Sequence, residues 1–420
     1  MNIWLLHIGE LLPIDDSYRL FRYGMLADAL NARGHHVVRW APTFSHVGKV
    51  HRVESDQRVK INSRYDLELV YAEGYKKNIS FKRILFYSRL AQKFSERVKQ
   101  IDKPDIIVTA VPSIEWCEAA IKLGEQYNIP VIVDVRDLWP DIFASAIPKG
   151  LGWLGAMLLT PMYRRTQKIF RKADGIVGVS KDYLDWGLKY ADRGATAQDA
   201  VFPLSYTAVS QSKKQLQTNK SELISKGVDL SKIICCFAGQ FEATYDVVTI
   251  INTARLYQET RETRIQFVLC GDGAQNKKLK DLAKGLKNIF FMGWVDQFML
   301  RTVLDLSRIG LVSYAENAPQ SLPNKPFEYM SGGLALVSSL RGELDEIIDS
   351  NKIGCLYQSG NAQELGEKIL GLVSDIKKLV QMEEKSIALY NDQYRCDKVY
   401  GGMVTYLEKM SSSLYEKEIA

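Results

Sequence analysis

Short runs of consecutive aliphatic residues recur along this chain, and most are followed by a segment with helical spacing of its apolar residues. In the first half the runs lie at residues 2–8, 36–40, 105–110, 130–135 and 175–180. Continuous Val/Ile runs of this kind are typical of parallel strands in a sheet that is covered on both faces. Because Gly9 ends the first run and helical spacing continues from about Ser17 to Arg33, the chain is predicted to open as a β-loop-α-β unit.

The same alternation restarts in the second half. There the strand-like runs lie at residues 233–239, 265–273, 288–294, 309–314 and 334–339. The pattern therefore predicts an α/β fold with two doubly wound, Rossmann-like domains, 1–205 and 206–391, joined by the polar stretch 202–220. A last segment, 392–420, is predicted to be helical, and whether it packs back on the first domain is left open. Ligands of open α/β sheets bind beyond the carboxyl ends of the strands, so we expect the site in a cleft between two facing sheets.

Composition restricts the class of protein. With 420 residues, 46% of them hydrophobic and 25% charged, the chain is long enough for two globular domains. The N-terminal run lacks a basic leader and a cleavage site, and no apolar stretch approaches the roughly 18 residues that span a bilayer, so we expect a cytoplasmic protein. The six cysteines show no C-x-x-C spacing and are predicted to be buried thiols rather than disulfides or zinc ligands.

The excess positive charge lies entirely in the first half. Residues 1–205 contain 29 Lys/Arg against 23 Asp/Glu, whereas the remaining residues contain 26 of each. One half is therefore expected to meet an anionic surface or ligand. The bias is concentrated between Tyr75 and Gln100, which contain eight basic residues and one acid. No nucleic-acid-binding motif accompanies this charge, so a nucleic-acid partner is not expected.

That basic segment has the pattern of an amphipathic helix. The apolar residues assigned to one face are Phe81, Ile84, Leu85, Ala91, Phe94 and Val98. Lys82, Arg89 and Lys93 lie on another face and are the candidate contacts to anionic lipid. The alternative is that the apolar face simply covers a core. A second candidate for a membrane surface is 151–172, which is apolar and then basic.

The stretch "SLPNKPFEYMSGG" (321–333) is the strongest candidate site. Pro326 is predicted to occupy the first position of a helix that follows the strand 309–314. Such a helix start offers free N–H groups and a positive dipole end to a phosphate, and Lys325 adds a full charge. Glu328, predicted in the first turn, cannot hold phosphate, but a carboxylate accepts two hydrogen bonds from the vicinal hydroxyls of a ribose. The alternative is that Glu328 merely complements the helix dipole and that Lys325 is solvated.

An ordered set of motifs extends over nearly the whole chain. The motifs are "HIGE" (7–10), "DVRDLWP" (134–140), "RKADGIVGVS" (171–180), "FVLCGDG" (267–273), "NIFFMGWV" (288–295), "PNKPFEYMSGG" (323–333) and "RGELDEII" (341–348). With them the chain resembles the retaining GT-B glycosyltransferases of family 4, and among these the bacterial O-antigen and capsule enzymes similar to N-acetyl-L-fucosamine transferases. The resemblance implies the GT-B fold, with two Rossmann-like domains facing across a cleft.

For the second domain the resemblance implies a donor-binding site. The expected residues are Gly239, Gln240, Gly271, Asp272, Pro323, Asn324, Lys325 and Glu328. Glu328 matches the second glutamate of the family's E-x7-E motif, which binds the ribose of a nucleotide sugar. Gln320, a candidate catalytic residue, replaces the first glutamate and offers hydrogen bonds without a charge. The basic pair that the family places after the first strand of this domain is missing, since Gln240 and Tyr245 stand there, so more of the diphosphate charge falls to Lys325.

In the first domain the resemblance implies that Gly9 and Glu10 run close to the donor phosphates. Arg136 and Asp137 stand where many relatives carry His-Asp and are the other candidate catalytic residues. Arg136 is expected to contact a donor or acceptor phosphate, and Asp137 to orient the acceptor hydroxyl. The alternative is a structural ion-pair cluster of Asp134, Arg136 and Asp137.

The reaction implied by the resemblance is front-face transfer of a sugar with retention, in which a donor phosphate oxygen helps to remove the acceptor proton. The donor is expected to be a UDP-sugar and the acceptor a polyprenyl-diphosphate-linked saccharide at the cytoplasmic face of the inner membrane. No D-x-D occurs in the chain, so neither a metal nor another cofactor is expected. Two alternatives stay open: a degenerate protein that binds nucleotide sugar or lipid intermediate without turnover, and a UDP-sugar epimerase on the same fold.

Overall fold

The chain divides into two compact units in the computed structural model. Unit 1 comprises Met1–Pro203 and Cys396–Ala420, and unit 2 comprises Leu204–Arg395. The structure describes residues 1–15, 19–46, 48–77, 80–145, 147 and 152–419, and the side chains of 145, 152, 154 and 413–419 lie outside that description. The boundaries between the units differ by a few residues from those predicted. The first unit ends at Pro203 rather than at 205, and the last helix begins at Cys396 rather than at 392.

The described part of unit 1 contains an eight-stranded sheet with the order β3-β4-β2-β1-β5-β6-β7-β8. The strands are β1 (Asn2–Leu6), β2 (His36–Pro42), β3 (Gln57–Asn62), β4 (Tyr65–Val70), β5 (Ile106–Val111), β6 (Val131–Val135), β7 (Gly175–Gly178) and β8 (Ala200–Val201). All neighbours are parallel except β3 and β4, which form an antiparallel hairpin at one edge. This hairpin was not predicted, because β3 is an exposed edge strand with alternating charged residues rather than an aliphatic run.

In the described part of unit 1, six helices flank this sheet and a seventh returns from the last segment of the chain. They are α1 (Arg22–Ala32), α2 (Phe81–Arg97), α3 (Ile114–Tyr127), α4 (Asp141–Ser145), α5 (Gly152–Lys172), α6 (Lys181–Ala191) and, after unit 2, α15 (Cys396–Ile419). The predicted helix start at Ser17 lies outside the described residues, and the described residues 19–21 are not helical. The side chains of Tyr400, Met403, Val404 and Leu407 on α15 are buried in the core that includes β1, α1 and β6. Each such burial contributes roughly 1.5–3 kcal/mol, so α15 is part of unit 1.

The described part of unit 2 contains a six-stranded parallel sheet with the order β11-β10-β9-β12-β13-β14. The strands are β9 (Ile233–Ala238), β10 (Ile265–Cys270), β11 (Ile289–Gly293), β12 (Ile309–Val312), β13 (Ala335–Ser338) and β14 (Gly354–Leu356). Its helices are α7 (Lys213–Ser225), α8 (Val247–Glu259), α9 (Asn276–Leu282), α10 (Gln297–Leu306), α11 (Asn324–Ser331), α12 (Glu343–Asn351), α13 (Ala362–Ser374) and α14 (Ile376–Leu389). Both units are thus doubly wound α/β folds, as predicted.

Helix α7 begins inside the polar stretch 202–220, for which the sequence analysis predicted no helix. The helix is held by a polar contact rather than an apolar stripe, because the buried Asn219 donates from Nδ2 to Thr302 Oγ1 at 2.9 Å. Among the described residues of α7, Leu223 is the one apolar side chain that is buried. A helix fixed in this way lacks the 3.6-residue apolar period on which sequence-based prediction depends.

Strand β9 illustrates why the aliphatic runs have no polar alternation. Cys235 packs in the core on one face of the unit 2 sheet, and Cys236 packs in the core on the other face. Both faces are therefore buried, as expected for a parallel sheet between helices. All six cysteines are free thiols. Cys117, Cys235, Cys236 and Cys270 are buried, as predicted, whereas Cys355 and Cys396 are only partly buried. Within the described ranges, no helix has the combination of length and hydropathy that crossing a membrane requires.

Candidate functional site

Helix α11 begins just beyond the carboxyl end of β12 and presents an uncapped N-terminus. Its N-cap is Pro323, no side chain accepts a hydrogen bond at the cap, and Asn324 is the first helical residue. Pro326 is the third helical residue rather than the predicted first, and it has no N–H. The N–H groups of Asn324 and Lys325 are therefore the donors at this helix start. Glu328 is the fifth residue and begins the second turn, so its predicted place in the first turn is wrong.

The Lys325 side chain is buried among three aromatic rings. Its Nζ lies 3.6 Å from the ring centre of Tyr245, 5.2 Å from that of Phe237 and 5.4 Å from that of Tyr314. Only 6% of the residue is exposed. Burial lowers the pKa of Lys325 to about 7, against the opposing influence of the Glu328 carboxylate. In the described part of the chain no oxygen accepts a hydrogen bond from this Nζ, so the predicted solvated Lys325 is not observed.

Glycines at the ends of β9 and β10 make room for this ammonium. A Cβ on Gly239 would lie 2.3 Å from Lys325 Nζ, and a Cβ on Gly271 would lie 1.8 Å from the Gly239 carbonyl oxygen. Gly271 also has a φ of 158°. Only residues without a side chain allow the two loops and the lysine to approach this closely.

Asp272 and Gln240 lie in the same two loops but are exposed. Asp272 Oδ1 accepts hydrogen bonds from the Gly273 N–H at 2.8 Å and from Asn276 Nδ2 at 2.6 Å. The Asp272 carboxylate therefore shapes the turn into α9. The Phe241 N–H donates to the Asp272 carbonyl at 2.9 Å, which joins this turn to the loop that contains Gln240.

Tyr329, the residue after Glu328, fixes α11 against the sheet, and the sequence analysis did not single it out. Its buried Oη accepts a hydrogen bond from the Ala238 N–H at 2.8 Å and lies 3.4 Å from the Leu311 carbonyl oxygen. A Cβ on Gly310 would lie 2.5 Å from the Tyr329 ring. A glycine inside a predicted strand was the available signal, because it marks a close approach of another group.

Gln320 lies in the loop before α11 with a buried acceptor. Its Oε1 has no hydrogen-bond partner among the described residues. The next residue, Ser321, accepts a hydrogen bond at Oγ from the Glu343 N–H at 3.3 Å, which ties the loop to α12. An unpaired buried amide oxygen is costly, so Gln320 is suited to accept a hydrogen bond from a ligand.

In unit 1, Glu10 is held by three donors. Its carboxylate accepts hydrogen bonds from Arg136 Nη1 at 2.5 Å, from Arg39 Nη2 at 3.1 Å and from the Tyr23 N–H at 3.0 Å. Burial would raise the pKa of Glu10, but the guanidinium groups of Arg136 and Arg39 outweigh it and lower the pKa to about 2. The Glu10 carboxylate caps α1 and positions Arg136. The prediction that the backbone at Gly9 and Glu10 runs close to the donor phosphates stays a prediction.

His7 lies beside Arg136 and stacks on Tyr23, with ring centres 5.0 Å apart. Its Nε2 is 3.0 Å from Arg136 Nη1, and its Nδ1 is 3.2 Å from the Gly9 nitrogen. Burial and then Arg136 lower the pKa of His7 well below its usual range, so the ring is neutral. A neutral imidazole has a single acceptor nitrogen, so only one of these two contacts is a hydrogen bond.

The three residues of the predicted ion-pair alternative do not cluster. Asp134 is fully buried and pairs with Arg22, whose Nε and Nη2 donate to the carboxylate at 2.8 and 3.0 Å. Arg136 pairs with Glu10 instead. Asp137 accepts a hydrogen bond from the Leu138 N–H at 2.9 Å, and burial raises its pKa. Asp134 thus forms hydrogen bonds with an arginine, whereas Asp137 forms none with an arginine among the described residues.

Helix α2 exposes apolar residues at its start and buries others further along. Phe86, Tyr87, Leu90 and Phe94 form its buried face, whereas Phe81, Ile84 and Leu85 are exposed. The prediction that the apolar residues of α2 share a single face is therefore wrong. The alternative, that the apolar residues of α2 only cover a core, is wrong for the first turn, where they are exposed. Of the predicted lipid contacts, Lys82 is exposed, Arg89 lies 3.3 Å from Glu73, and Lys93 lies 3.3 Å from Asp56.

No metal site is built from the described residues of either unit, in which no three His, Cys, Asp or Glu side chains converge. The donors and cations of the candidate sites are the N–H groups at the start of α11, Lys325 and Arg136. Such groups bind anions and hydroxyls and stabilise developing negative charge.

Two family models match the chain. Residues 24–196, within unit 1, match the model described as Glycosyltransferase Family 4, and residues 232–375, within unit 2, match Glycosyl transferases group 1. The two matches do not overlap, and each lies inside one structural unit. A search of curated proteins found no match.

Solved structures with a similar fold align over nearly the whole chain. HepE from Anabaena in complex with UDP is 12% identical with a TM-score of 0.67, over 97% of this chain and 100% of that chain. The same protein in complex with UDP-glucose is 13% identical with a TM-score of 0.65, over 98% and 100%. Sucrose-phosphate synthase from Thermosynechococcus elongatus is 15% identical with a TM-score of 0.70, over 98% and 99%. At these identities the likeness shows the fold, two α/β units of the GT-B type.

Proposed function

We propose that this protein, a glycosyltransferase with the GT-B fold, transfers a sugar from a UDP-sugar to a polyprenyl-diphosphate-linked saccharide. The sugar is proposed to be an N-acetylated hexosamine or deoxyhexosamine, and the product to be an intermediate of O-antigen, capsule or exopolysaccharide synthesis. Unit 2 would bind the donor and unit 1 the acceptor.

The observation that carries the donor proposal is the buried ammonium of Lys325. It lies among aromatic rings at the uncapped start of α11, and no described oxygen accepts a hydrogen bond from it. A buried cation is costly unless it meets an anion, so the site is suited to an external one. A diphosphate at this point would receive the Lys325 ammonium and the two N–H groups of Asn324 and Lys325. The HepE complexes with UDP and UDP-glucose support a uridine diphosphate as that anion.

Glu328 is proposed to bind the ribose. It lies three residues beyond Lys325 on the same helix, is buried, and acts on the Lys325 ammonium electrostatically. A carboxylate one helical turn from the proposed phosphate site would accept two hydrogen bonds from the vicinal hydroxyls of the ribose. Gln320, with its unpaired Oε1, is proposed to accept a hydrogen bond from a hydroxyl of the transferred sugar.

The proposed chemistry is electrostatic and needs no metal from the protein. As the sugar–oxygen bond breaks, charge grows on the leaving diphosphate, and Lys325 and the helix start would stabilise that charge more than they stabilise the ground state. A donor phosphate oxygen would take the proton of the acceptor hydroxyl on the same face, which gives retention. Asp137 would orient that hydroxyl, and Arg136, held by Glu10, would contact a phosphate.

The acceptor's lipid chain motivates the proposed peripheral association with the cytoplasmic face of the inner membrane. Exposed large apolar residues occur at the starts of two helices of unit 1, Phe81, Ile84 and Leu85 on α2 and Trp153, Met157 and Leu158 on α5. Exposed apolar side chains next to basic residues favour binding to anionic bilayers. The variant Phe81→Ser/Ile84→Ser should bind vesicles of anionic phospholipid less than the wild type, whereas equal binding would remove α2 from this role.

The deciding experiment is calorimetric titration of the purified protein with UDP, UDP-N-acetylhexosamines and GDP-sugars without added metal. We expect binding in the UDP series and at least tenfold weaker binding of UDP to Lys325→Met. Absence of all binding would overturn the donor proposal. If UDP-sugars bind, release of UDP that requires a lipid-linked acceptor supports transfer. Loss of the UDP-sugar without acceptor would favour the epimerase, and binding without any turnover would favour the degenerate protein.

A further inference from the structure

We propose that Asp141 is a positioning residue of the acceptor site in unit 1: hydrogen bonds from α5 and α6 fix its carboxylate, and with it the loop that carries Arg136 and Asp137. The inference rests on the proposed function, in which Asp137 orients the hydroxyl of the acceptor. Asp141 is the first residue of α4, four residues beyond Asp137. Its role is to set the place of the Asp137 carboxylate.

Three donors from two helices converge on the Asp141 carboxylate. Its Oδ1 accepts hydrogen bonds from Tyr163 Oη at 2.8 Å and from Tyr190 Oη at 2.9 Å. Its Oδ2 accepts one from Trp186 Nε1 at 2.7 Å. Hydrogen bonds to a carboxylate are stronger than those between two neutral groups. The start of α4 is therefore tied to α5 by one such bond and to α6 by two.

Aromatic packing holds the three donors in place. Trp186 and Tyr190 lie one turn apart on α6, and their ring centres are 4.6 Å apart. The Tyr163 ring stacks on the Tyr190 ring, with centres 6.2 Å apart and an angle of 12° between the planes. Phe170 meets Trp186 edge-on, with ring centres 5.5 Å apart. Because a packed ring has little rotamer freedom left to lose, these donors are preorganised around the carboxylate.

Both tyrosine hydroxyls stay protonated, as donation to Asp141 requires. Burial and then the hydrogen bond to Asp141 raise the pKa of Tyr163 to about 12. The same two causes raise the pKa of Tyr190 above its usual range. Among the described residues, the hydrogen-bond partners of Asp141 are thus neutral groups, whereas the carboxylate of Asp134 is held by an arginine.

A chain of hydrogen bonds connects Asp141 to Asp137. The N–H of Ile142, which follows Asp141 in α4, donates to the Leu138 carbonyl at 3.1 Å. The N–H of Leu138 donates to Asp137 Oδ1 at 2.9 Å. Leu138 therefore links the first turn of α4 to the Asp137 carboxylate. A movement of Asp141 would displace Leu138, and with it the Asp137 oxygen to which Leu138 donates.

The loop between β6 and α4 is fixed at its other end as well. Strand β6 ends at Val135, which pairs with β5 on one side and with β7 on the other. Only residues 136–140 lie between that strand end and Asp141. Arg136, in the same loop, is held by Glu10. The loop thus has an anchor for Arg136 and, in Asp141, a separate anchor for Asp137.

The carboxyl of Asp137 reports on its own position. Burial raises its pKa, against the hydrogen bonds from Leu138 and Trp139 and the positive charges of Arg83 and Arg136. If the loop comes loose, water reaches the carboxyl and its pKa returns toward the lower, ordinary value. Carbon NMR of protein with labelled aspartates measures this pKa, and loss of the signal in Asp137→Asn assigns it.

Two variants release the anchor without removing a ring. Tyr163→Phe/Tyr190→Phe deletes both donors to Oδ1, and Asp141→Asn replaces one acceptor oxygen by an amide N–H. The pKa of Asp137 should be lower in both variants than in the wild type. Tyr406→Phe is the matched control, because Tyr406 Oη donates at 2.6 Å to a backbone carbonyl of unit 1 outside this loop. It should leave the titration of Asp137 unchanged.

Transfer measures the consequence for the reaction. The donor is a UDP-N-acetylhexosamine, and the acceptor probe is undecaprenyl-diphosphate-linked N-acetylglucosamine. In Tyr163→Phe/Tyr190→Phe, kcat for acceptor-dependent release of UDP should fall about tenfold to a hundredfold, the scale for a misplaced reacting group. The calorimetric affinity for UDP should stay within about twofold of the wild type, because the anchor is remote from the donor site. A purely structural loss would not produce this split between kcat and donor affinity.

The outcomes separate this inference from the proposed function. A pKa of Asp137 that is the same in the wild type, Tyr163→Phe/Tyr190→Phe and Asp141→Asn would overturn the proposal, as would a lowered pKa with undiminished transfer. If the double variant does not fold, Asp141→Asn alone decides. A wild type that binds no UDP, or that releases none with this acceptor, would count against the proposed function, whereas the titration still shows whether Asp141 positions Asp137.

Discussion

The Lys325 ammonium lies 3.6 Å from the centre of the Tyr245 ring, in the loop where relatives are expected to carry a basic pair. The ring holds the cation by its quadrupole and does not neutralise it, as a carboxylate would. A lysine or arginine at position 245 would instead repel Lys325 at this distance. The aromatic ring of Tyr245 and the buried Lys325 are therefore a matched arrangement.

Replacing Tyr245 tests whether its ring positions Lys325. Tyr245→Phe keeps the ring and should bind UDP within about twofold of the wild type. Tyr245→Leu removes it and should weaken UDP binding about threefold to thirtyfold, the range of a desolvated cation–π contact. Calorimetry on both variants decides the matter, and similar losses in the two would assign the effect to the hydroxyl instead.

The affinity for UDP should depend on pH through Lys325. Its folded pKa is lowered from 10.5 to about 7, so above pH 7 the free protein holds a neutral amine that must take up a proton when the diphosphate binds. Affinity should then fall by up to about tenfold per pH unit above 7. Lys325→Met should show no such fall. Titrations at pH 6, 7 and 8 in buffers of different ionisation enthalpy report the proton uptake directly.

The same lysine should lower the stability of the free protein at acidic pH. Between its folded pKa of about 7 and its unfolded value of 10.5, the unfolded chain binds more protons, so the free energy of unfolding rises with pH. Lys325→Met should be more stable than the wild type at pH 6, and this difference should shrink by pH 9. Urea unfolding at the two pH values measures it, and a difference independent of pH would mean that the lysine is not buried.

Glu328 is tested best by changing the ligand together with the residue. Glu328→Gln should bind UDP about tenfold or more weakly, on the scale of roughly 1.5–3 kcal/mol for charge-assisted hydrogen bonds. The wild type should bind 2′-deoxy-UDP more weakly than UDP, and this difference in affinity should be much smaller in Glu328→Gln. The 2′-hydroxyl and the Glu328 charge are the two sides of one proposed interaction, so losing both costs little more than losing either. Equal discrimination by both proteins would remove the ribose role.

Two glycines in the unit 2 site should respond differently to alanine. In Gly239→Ala the new Cβ meets the flexible end of Lys325 at 2.3 Å, so the lysine moves: UDP affinity should fall while stability changes little. In Gly271→Ala the Cβ meets the Gly239 carbonyl oxygen at 1.8 Å, and that backbone cannot give way without disturbing both loops. Thermal unfolding should therefore show a clear loss of stability in Gly271→Ala alone.

In unit 1, Glu10 should contribute to stability at neutral pH. Its pKa is lowered to about 2, so the contribution is present above the unfolded value near 4.5 and disappears as the pH falls toward 2. Glu10→Gln should lower the free energy of unfolding at pH 7 by on the order of 3 kcal/mol, the scale of a shift of this size. The difference from wild type should be smaller at pH 3, and urea unfolding at both pH values checks it.

Much of the architecture follows from the sequence because the signal is local. Continuous aliphatic runs predict parallel strands buried on both faces, and every predicted run contains a strand of the structure. The helix that begins within "PNK" and contains Lys325 and Glu328 is also a local pattern. The same local rules missed β3, which is exposed, and α7, which is held by a polar contact, because neither has a clear apolar period. They also missed β4, which is buried but alternates Tyr65, Leu67 and Leu69 with acidic residues instead of forming an aliphatic run.

The surroundings of each charged group were decided only by the tertiary structure. Lys325 is buried among rings from β9, the following loop and the end of β12, and Asp134 meets Arg22 from a different part of the chain. Glu10 sets the start of α1 from outside that helix, which is why the start was predicted too early. The sequence determines which charges are present and on which elements they lie. Whether a charge is solvated, paired or buried depends on groups brought together across the sheet, and these long-range contacts leave no periodic trace in the chain.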